Sequence, residues 1–444
     1  METTTDDERE TCLMPGSGPQ LLFIAHPFPP VNAISAVRTW NVAKHLSRLG
    51  WNVRVITPES RLLNRKEPEG FEETLRDAGI QRILTGHKLK ILTEDNSRKG
   101  ARRIAAAVCR RIARRLDIDS RIGWSREVEK ACRHLTRGDA DVVLATGSPF
   151  ISFPIAEKLA DRLECPFVLD YRDSWTNNPH MARQSSKRTL AMEDRLLDRC
   201  AAAITVSPSL AADLQDGRAN DVPVHVITNG YDPDEMDSVE PRDFGHFAIV
   251  YAGIFYPPMG VIPPVMAALR HLSDNPSPCS AGNDWRFHYY GPHTEHVRAS
   301  AEQFGLQERV VLHGYVPREE VLPAVRGADL GVVITSVHEK ATLADKGIVT
   351  GKIFEAMGLG TPVLTVAPLG SDVIRIVEDS GCGECFTGSD AEGMARYIGA
   401  LMDGRRPQVE PNSEYGWPSI ARRLDSILRD CCGMKAREAC GDGK

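Results

Sequence analysis

The sequence predicts two α/β domains, each built on a doubly wound parallel sheet and facing the other across a cleft. Three observations carry this. Short, nearly continuous apolar runs alternate with helix-period segments, the mark of parallel strands buried on both faces. The alternation runs once through the first half and starts afresh at Phe247, after the turn-rich break Asn229-Gly230-Tyr231-Asp232-Pro233. At 444 residues the chain also exceeds what one hydrophobic core usually organises.

The first 18 residues are acidic and polar, without the basic start or apolar core of a secretion signal, and read as a disordered tail. Leu21 to Ala25 is the first strand, a helix follows from about Ala33 to Leu49, and Val53 to Ile56 is the second strand. Further strands are expected at Asp141 to Ala145, Pro166 to Tyr171, Ala202 to Val206 and Val224 to Thr228, which places the first domain over 19–240. The second domain, 241–415, repeats the pattern at Phe247 to Ala252, Phe287 to Tyr290, Val310 to His313, Leu330 to Ile334 and Pro362 to Thr365. A last helical stretch, Ile420 to Arg429, falls in the segment 416–430, and 431–444 is a polar tail. Ligands of open α/β sheets bind at the carboxyl edges of the strands, so the cleft between the domains is the expected site.

Composition narrows the function. A net charge of −6 argues against a dedicated nucleic-acid binder, and no apolar run reaches the length of a membrane span. The eleven cysteines are scattered without framework spacing, which reads as reduced thiols in a cytoplasm. The lone CxxC, Cys382 to Cys385, has no second pair for zinc and reads as structural. Between Arg98 and Leu116, Ile104, Val108, Ile112 and Leu116 repeat at i+4 among flanking arginines. That basic amphipathic helix fits either an anionic bilayer or acceptor, or a solvated helix packed by its apolar stripe.

The most informative stretch is Lys346 to Leu364. It runs from a polar loop through Thr350-Gly351, with Lys352 and Glu355 one turn apart, to a Gly-x-Gly stop and a buried strand. A helix starting at Thr350-Gly351 points free N–H groups and the positive end of its dipole above the sheet, a phosphate site to which Lys352 adds a cation. Glu355, on the same face, can accept from the vicinal hydroxyls of a ribose. The plainer reading is a solvated i, i+3 ion pair.

This block closely resembles the donor-nucleotide motif of glycosyltransferase family 4, whose enzymes have the two-Rossmann GT-B fold. The resemblance extends from about Leu21 to Leu428 through His26-Pro27-Phe28-Pro29-Pro30, the helix bearing Arg38, Asp170-Tyr171-Arg172-Asp173-Ser174-Trp175, Asn229-Gly230-Tyr231-Asp232, Val250 to Gly253 and His313-Gly314-Tyr315-Val316. It implies a retaining, metal-independent transferase that uses no cofactor and moves a sugar from a nucleoside diphosphate to an acceptor, with the C-terminal helix crossing back onto the first domain.

By the same resemblance Gly253, Gly314, Tyr315, Val316, Lys346, Thr350, Gly351, Lys352, Ile353 and Glu355 would hold the donor, and Asn32, Arg38, Asp170, Arg172, Asp173 and Trp175 the acceptor. Lys352 and Asp173 would carry the chemistry, with Asp173 orienting or deprotonating the acceptor. An Arg–Asp structural pair with a packing Trp is the alternative for that segment.

The chain departs from the family in three places, one of them the small-residue loop after the first strand, which holds Ala33, Ser35 and Ala36 rather than a Gly pair. Gly347 stands where many members carry a Glu, and Ile254 to Gly260 contain none of the usual clamp cations. Lys346, Lys352 and the helix end must then carry more of the phosphate charge, or Arg38 must reach across. Asp232-Pro233-Asp234 resembles the metal motif of other glycosyltransferases, but it sits in the turn-rich break and no metal site is expected there. The acceptor reads as a small metabolite in a cytoplasmic pathway. A polysaccharide or lipid-linked glycan acceptor, a sugar-nucleotide epimerase and an inactive sugar-nucleotide-binding protein are the alternatives.

Overall fold

Seven parallel strands form the first sheet: β1 (Gln20–Ile24), β2 (Asn52–Pro58), β3 (Ile80–Thr85), β4 (Val142–Gly147), β5 (Phe167–Tyr171), β6 (Ala202–Thr205) and β7 (Val224–Val226), in the order β3-β2-β1-β4-β5-β6-β7. Six form the second: β8 (Phe247–Ala252), β9 (Trp285–Tyr290), β10 (Val310–Gly314), β11 (Leu330–Ile334), β12 (Val363–Val366) and β13 (Gly383–Phe386), ordered β10-β9-β8-β11-β12-β13. The computed structural model describes residues 18–31, 34–63, 67–86, 104, 107–109, 111, 119, 121–178, 185–218, 221–275 and 284–434. The acidic tail before Gly18, Asn32, most of the basic stretch between Arg98 and Leu116, and residues 435–444 lie outside them.

The apolar runs become strands because successive side chains enter opposite cores. Leu22 and Ile24 of β1 pack with Phe153 and Leu196 on one face, while Leu21 and Phe23 pack with Val42, Leu46 and Trp417 on the other. Two strands, β3 and β13, are absent from the sequence pattern. Both are edge strands. β3 carries Gln81 and Arg82 on its interior positions and β13 opens on Gly383, so neither makes the continuous apolar run of a central strand. The CxxC cysteines flank and occupy β13, with Cys382 fully buried and both thiols free.

The chain crosses between the two sheets twice, and the crossings are joined. Tyr231 N donates to Tyr415 O at 3.1 Å and Trp417 N to Tyr231 O at 2.9 Å. The helix Trp417–Cys431 then lies on the first sheet beside the helix Ile34–Arg48, where Trp417, Ile420, Leu424 and Leu428 are buried. Each such burial contributes on the order of 1.5–3 kcal/mol. Asp425 fixes the docking by accepting from Trp51 Nε1 at 2.6 Å and Arg429 Nε at 2.7 Å.

Candidate active site

The order of strands reverses between β1 and β4 in one sheet and between β8 and β11 in the other. The carboxyl ends at these switch points face one another across a cavity of about 320 Å³, large enough for a small ligand. Ser35, Val37, Arg172, Asp173 and Leu210 line one wall; Ile254, Tyr256, Thr335 and the run from Gly347 to Lys352, with Glu355, line the other.

The helix Gly351–Gly358 opens at this cavity. Its N-cap, Thr350, is extended at φ −84° and ψ 150° and makes no side-chain cap, so the first-turn N–H groups are left to the cleft. Thr350 Oγ1 is buried without a hydrogen-bond partner among the described residues, an acceptor-hungry hydroxyl beside a positive helix end. Lys352 lies along Gly253, where a Cβ would stand 2.8 Å from Nζ. Gly253 is also at φ +141°, so both its conformation and its neighbour require glycine.

Lys352 Nζ sits 5.6 Å from the Tyr251 ring centroid. Burial pushes the ammonium pKa down, and the Glu355 carboxylate offsets part of that. Glu355 accepts from Arg318 Nη1, while Arg318 Nε and Nη2 donate to Glu235 at 2.8 and 3.1 Å. The Glu355 carboxylate is thus aimed by a guanidinium that the sequence reading did not single out. The signal was there, since Arg318 opens the helix directly after His313-Gly314-Tyr315-Val316-Pro317.

The remaining donor-side positions divide. Thr350, Gly351, Lys352 and Glu355 line the cavity. Ile353 does not: its side chain is fully buried in the core beneath, so it brings only backbone to the helix opening. Lys346 lies against Gly370 in the loop after β12. Gly314, at φ +73°, lets its carbonyl accept from Gly291 N at 2.7 Å, Tyr315 is exposed, and Val316 packs beside Tyr290 and Ala324. These three stand outside the cavity, linked to Glu355 through the Arg318 helix.

On the acceptor side the arginines are tied down. Arg38 and Asp170 form a buried bidentate pair, with Nη2 to Oδ1 at 2.8 Å and Nε to Oδ2 at 3.1 Å. Arg38 also donates to Ile227 O and Thr228 O, so it is fixed in the floor rather than reaching across to a phosphate. Arg172 donates to Gly147 O and Ser148 O at 2.5 and 2.6 Å. Trp175 stacks one face on Phe150, centroids 5.2 Å apart, and contributes packing. Asp173 remains exposed at the wall opposite Lys352. Of the cations lining this cavity, only Lys352 has no ion-pair or hydrogen-bond partner among the described residues.

The Asp-x-Asp string serves the junction between domains. Asp232 accepts from Lys44 Nζ at 2.6 Å and Asp234 from Arg48 at 3.0 Å. Burial would raise the Asp232 carboxyl, but the His45 imidazole, Nε2 3.8 Å away, and the hydrogen bond from Lys44 outweigh it and hold the pKa at about 2. Among the described residues no cluster of three or more His, Cys, Asp or Glu is placed to hold a metal ion.

A glycosyl transferase 4-like domain model matches residues 35–230, and a glycosyl transferases group 1 model matches residues 247–404. The fold is also similar to that of the sucrose-phosphate synthase of Thermosynechococcus elongatus, at 16% identity over 93% of this chain and 98% of that one, with a TM-score of 0.59. Anabaena HepE, solved with UDP and glucose, aligns at 15% identity over 93% and 99% of the two chains with a TM-score of 0.58. S. aureus TarM aligns at 12% identity over 94% and 100%, with a TM-score of 0.60. No protein of curated function matches the chain in sequence. The paired sheets and the cleft between them define a two-Rossmann protein of the GT-B type. With a transferase domain matched on each side of that cleft, the chain is a glycosyltransferase.

Proposed function

We propose that the protein transfers a sugar from a nucleoside-diphosphate sugar to a neutral, small-molecule acceptor, with retention of anomeric configuration and without a metal. One observation carries the reading: the helix Gly351–Gly358 opens at the interdomain cavity with Lys352 and Glu355 on its lining and, at its cap, a Thr350 hydroxyl that has no partner among the described residues. As the sugar–phosphate bond breaks, negative charge grows on the diphosphate. The helix end and Lys352 meet that charge in a partly desolvated cleft, where it is stabilised more than in water. Glu355, held by Arg318, accepts from the ribose hydroxyls. Asp173, on the far wall, orients the acceptor hydroxyl or takes its proton, and attack comes from the face that the diphosphate leaves.

The acceptor class follows from charge. Arg38 and Arg172 are satisfied internally, and the facing loop offers Ile254 and Tyr256, so the acceptor half of the cavity favours a neutral group over a phosphorylated carrier. Among the described residues no helix is long and apolar enough to cross a membrane, and we place the activity in the cytoplasm.

A thermal-shift screen against nucleoside diphosphates tests the donor. A ligand held at a hundred times its Kd is expected to add about 2.7 kcal/mol of stability, and a flat response to UDP, GDP, ADP and dTDP alike would sink the assignment. Transfer is also expected to survive EDTA, because a helix end and a lysine stand where a divalent ion would otherwise neutralise the diphosphate. Complete loss in EDTA with recovery on adding Mg²⁺ or Mn²⁺ is the contrary result.

A further inference from the structure

We propose that Ser207, Ser209, Gly347 and Asp372 form a clasp between the two domains that holds them in the donor-binding arrangement. Gly347 has φ −76° and ψ −4°, a conformation any residue adopts, so the backbone does not demand glycine there. The other domain does. A Cβ at position 347 would stand 2.9 Å from Leu210 N and 3.0 Å from Ser207 Oγ. Ser207 Oγ uses that bare position to donate to Gly347 O at 2.9 Å.

A second contact lies beside it. Asp372 accepts from Ser209 N at 2.7 Å and from Ser209 Oγ at 3.0 Å. Ser209 lies in the first turn of the helix Pro208–Gln215 and Asp372 opens the helix Asp372–Ser380. One carboxylate therefore faces the positive ends of two helices, one from each domain, which favours its charge at the junction. Leu210 and Gly347, brought together by these bonds, are both part of the cavity wall, Gly347 lying five residues before Lys352. Closing the clasp and completing that wall are one event. The missing side chain at 347 is what admits the first domain, and a residue from that domain takes its place in the wall. The contacts stand by themselves; their service to the donor rests on the function proposed above.

Gly347→Ala, Asp372→Ala, Asp372→Asn and Ser209→Ala, each in the full chain, separate these roles. The measurements are small-angle X-ray scattering without ligand, UDP titration calorimetry and melting temperature. Gly347→Ala and Asp372→Ala are expected to enlarge the radius of gyration and weaken UDP by about fivefold or more, the lower end of coupling between sites. Asp372→Asn, whose amide oxygen still accepts from Ser209, is expected to recover most of both. Ser209→Ala covers the case in which Asp372→Ala fails to fold, and is expected to open the chain partially. Wild-type scattering in Gly347→Ala and Ser209→Ala would overturn the clasp. Enlarged scattering with unchanged UDP affinity would overturn its role at the donor. If none of UDP, GDP, ADP and dTDP binds the wild type or any variant, the donor reading fails, while the scattering still decides the clasp.

Discussion

Lys352→Ala is expected to lower kcat by about a hundredfold and to raise the donor KM with it, as does loss of a group that meets charge developing in the transition state. The ammonium lies against Gly253 and the Tyr251 ring, with room for little else. Lys352→Arg is therefore expected to restore little, since a planar guanidinium would press on the Gly253 backbone. Stability separates this role from that of a solvated ion pair. Burial holds the Lys352 pKa below its ordinary value, so the unfolded chain binds the proton more tightly than the folded one at neutral pH. The charge thus opposes folding most fully below the lowered folded-state pKa, and the opposition fades as pH rises from there to the ordinary lysine value. Lys352→Met is expected to keep or raise the melting temperature while activity falls. Wild-type turnover in Lys352→Ala would remove the residue from the site.

Glu355→Ala is expected to weaken UDP by about ten- to a hundredfold, or on the order of 1.5–3 kcal/mol for hydrogen bonds to a charged group. Its melting temperature is expected to change little, because Arg318 keeps both bonds to Glu235 when Glu355 is removed. Arg318→Ala is expected to act in the same direction and less strongly, since it loosens the carboxylate without deleting it. Calorimetric titration of UDP into the three proteins checks the order. An unchanged Kd in Glu355→Ala would leave the Arg318–Glu355 pair as a structural contact alone.

The central strands were legible as apolar runs because each is buried on both faces, and the helix opening at Thr350-Gly351 because turn, cation and carboxylate are neighbours in the chain. The edge strands β3 and β13 were not, since an edge tolerates Arg82 and Gly383 where a centre would not. Ile353 shows the limit of reading a motif as a block: its neighbours line the cavity and its own side chain fills the core, as a period of 3.6 residues requires.

By itself the sequence determined what is local: the central strands and the helices between them, the restart at Phe247 and the positive helix end carrying Lys352 and Glu355. The tertiary structure alone decided what depends on distant partners. Arg38 is taken by Asp170, 132 residues away, and so is lost to the phosphate; Asp232 is taken by Lys44, 188 residues away, and serves the junction. Gly347, a departure when read along the chain, is a contact with Ser207 across 140 residues. Local pattern fixes which backbone a segment adopts through short-range sterics and solvation. Which charge is free and which glycine is needed follow from what other elements pack there, and that is settled only when both sheets have closed on the cleft.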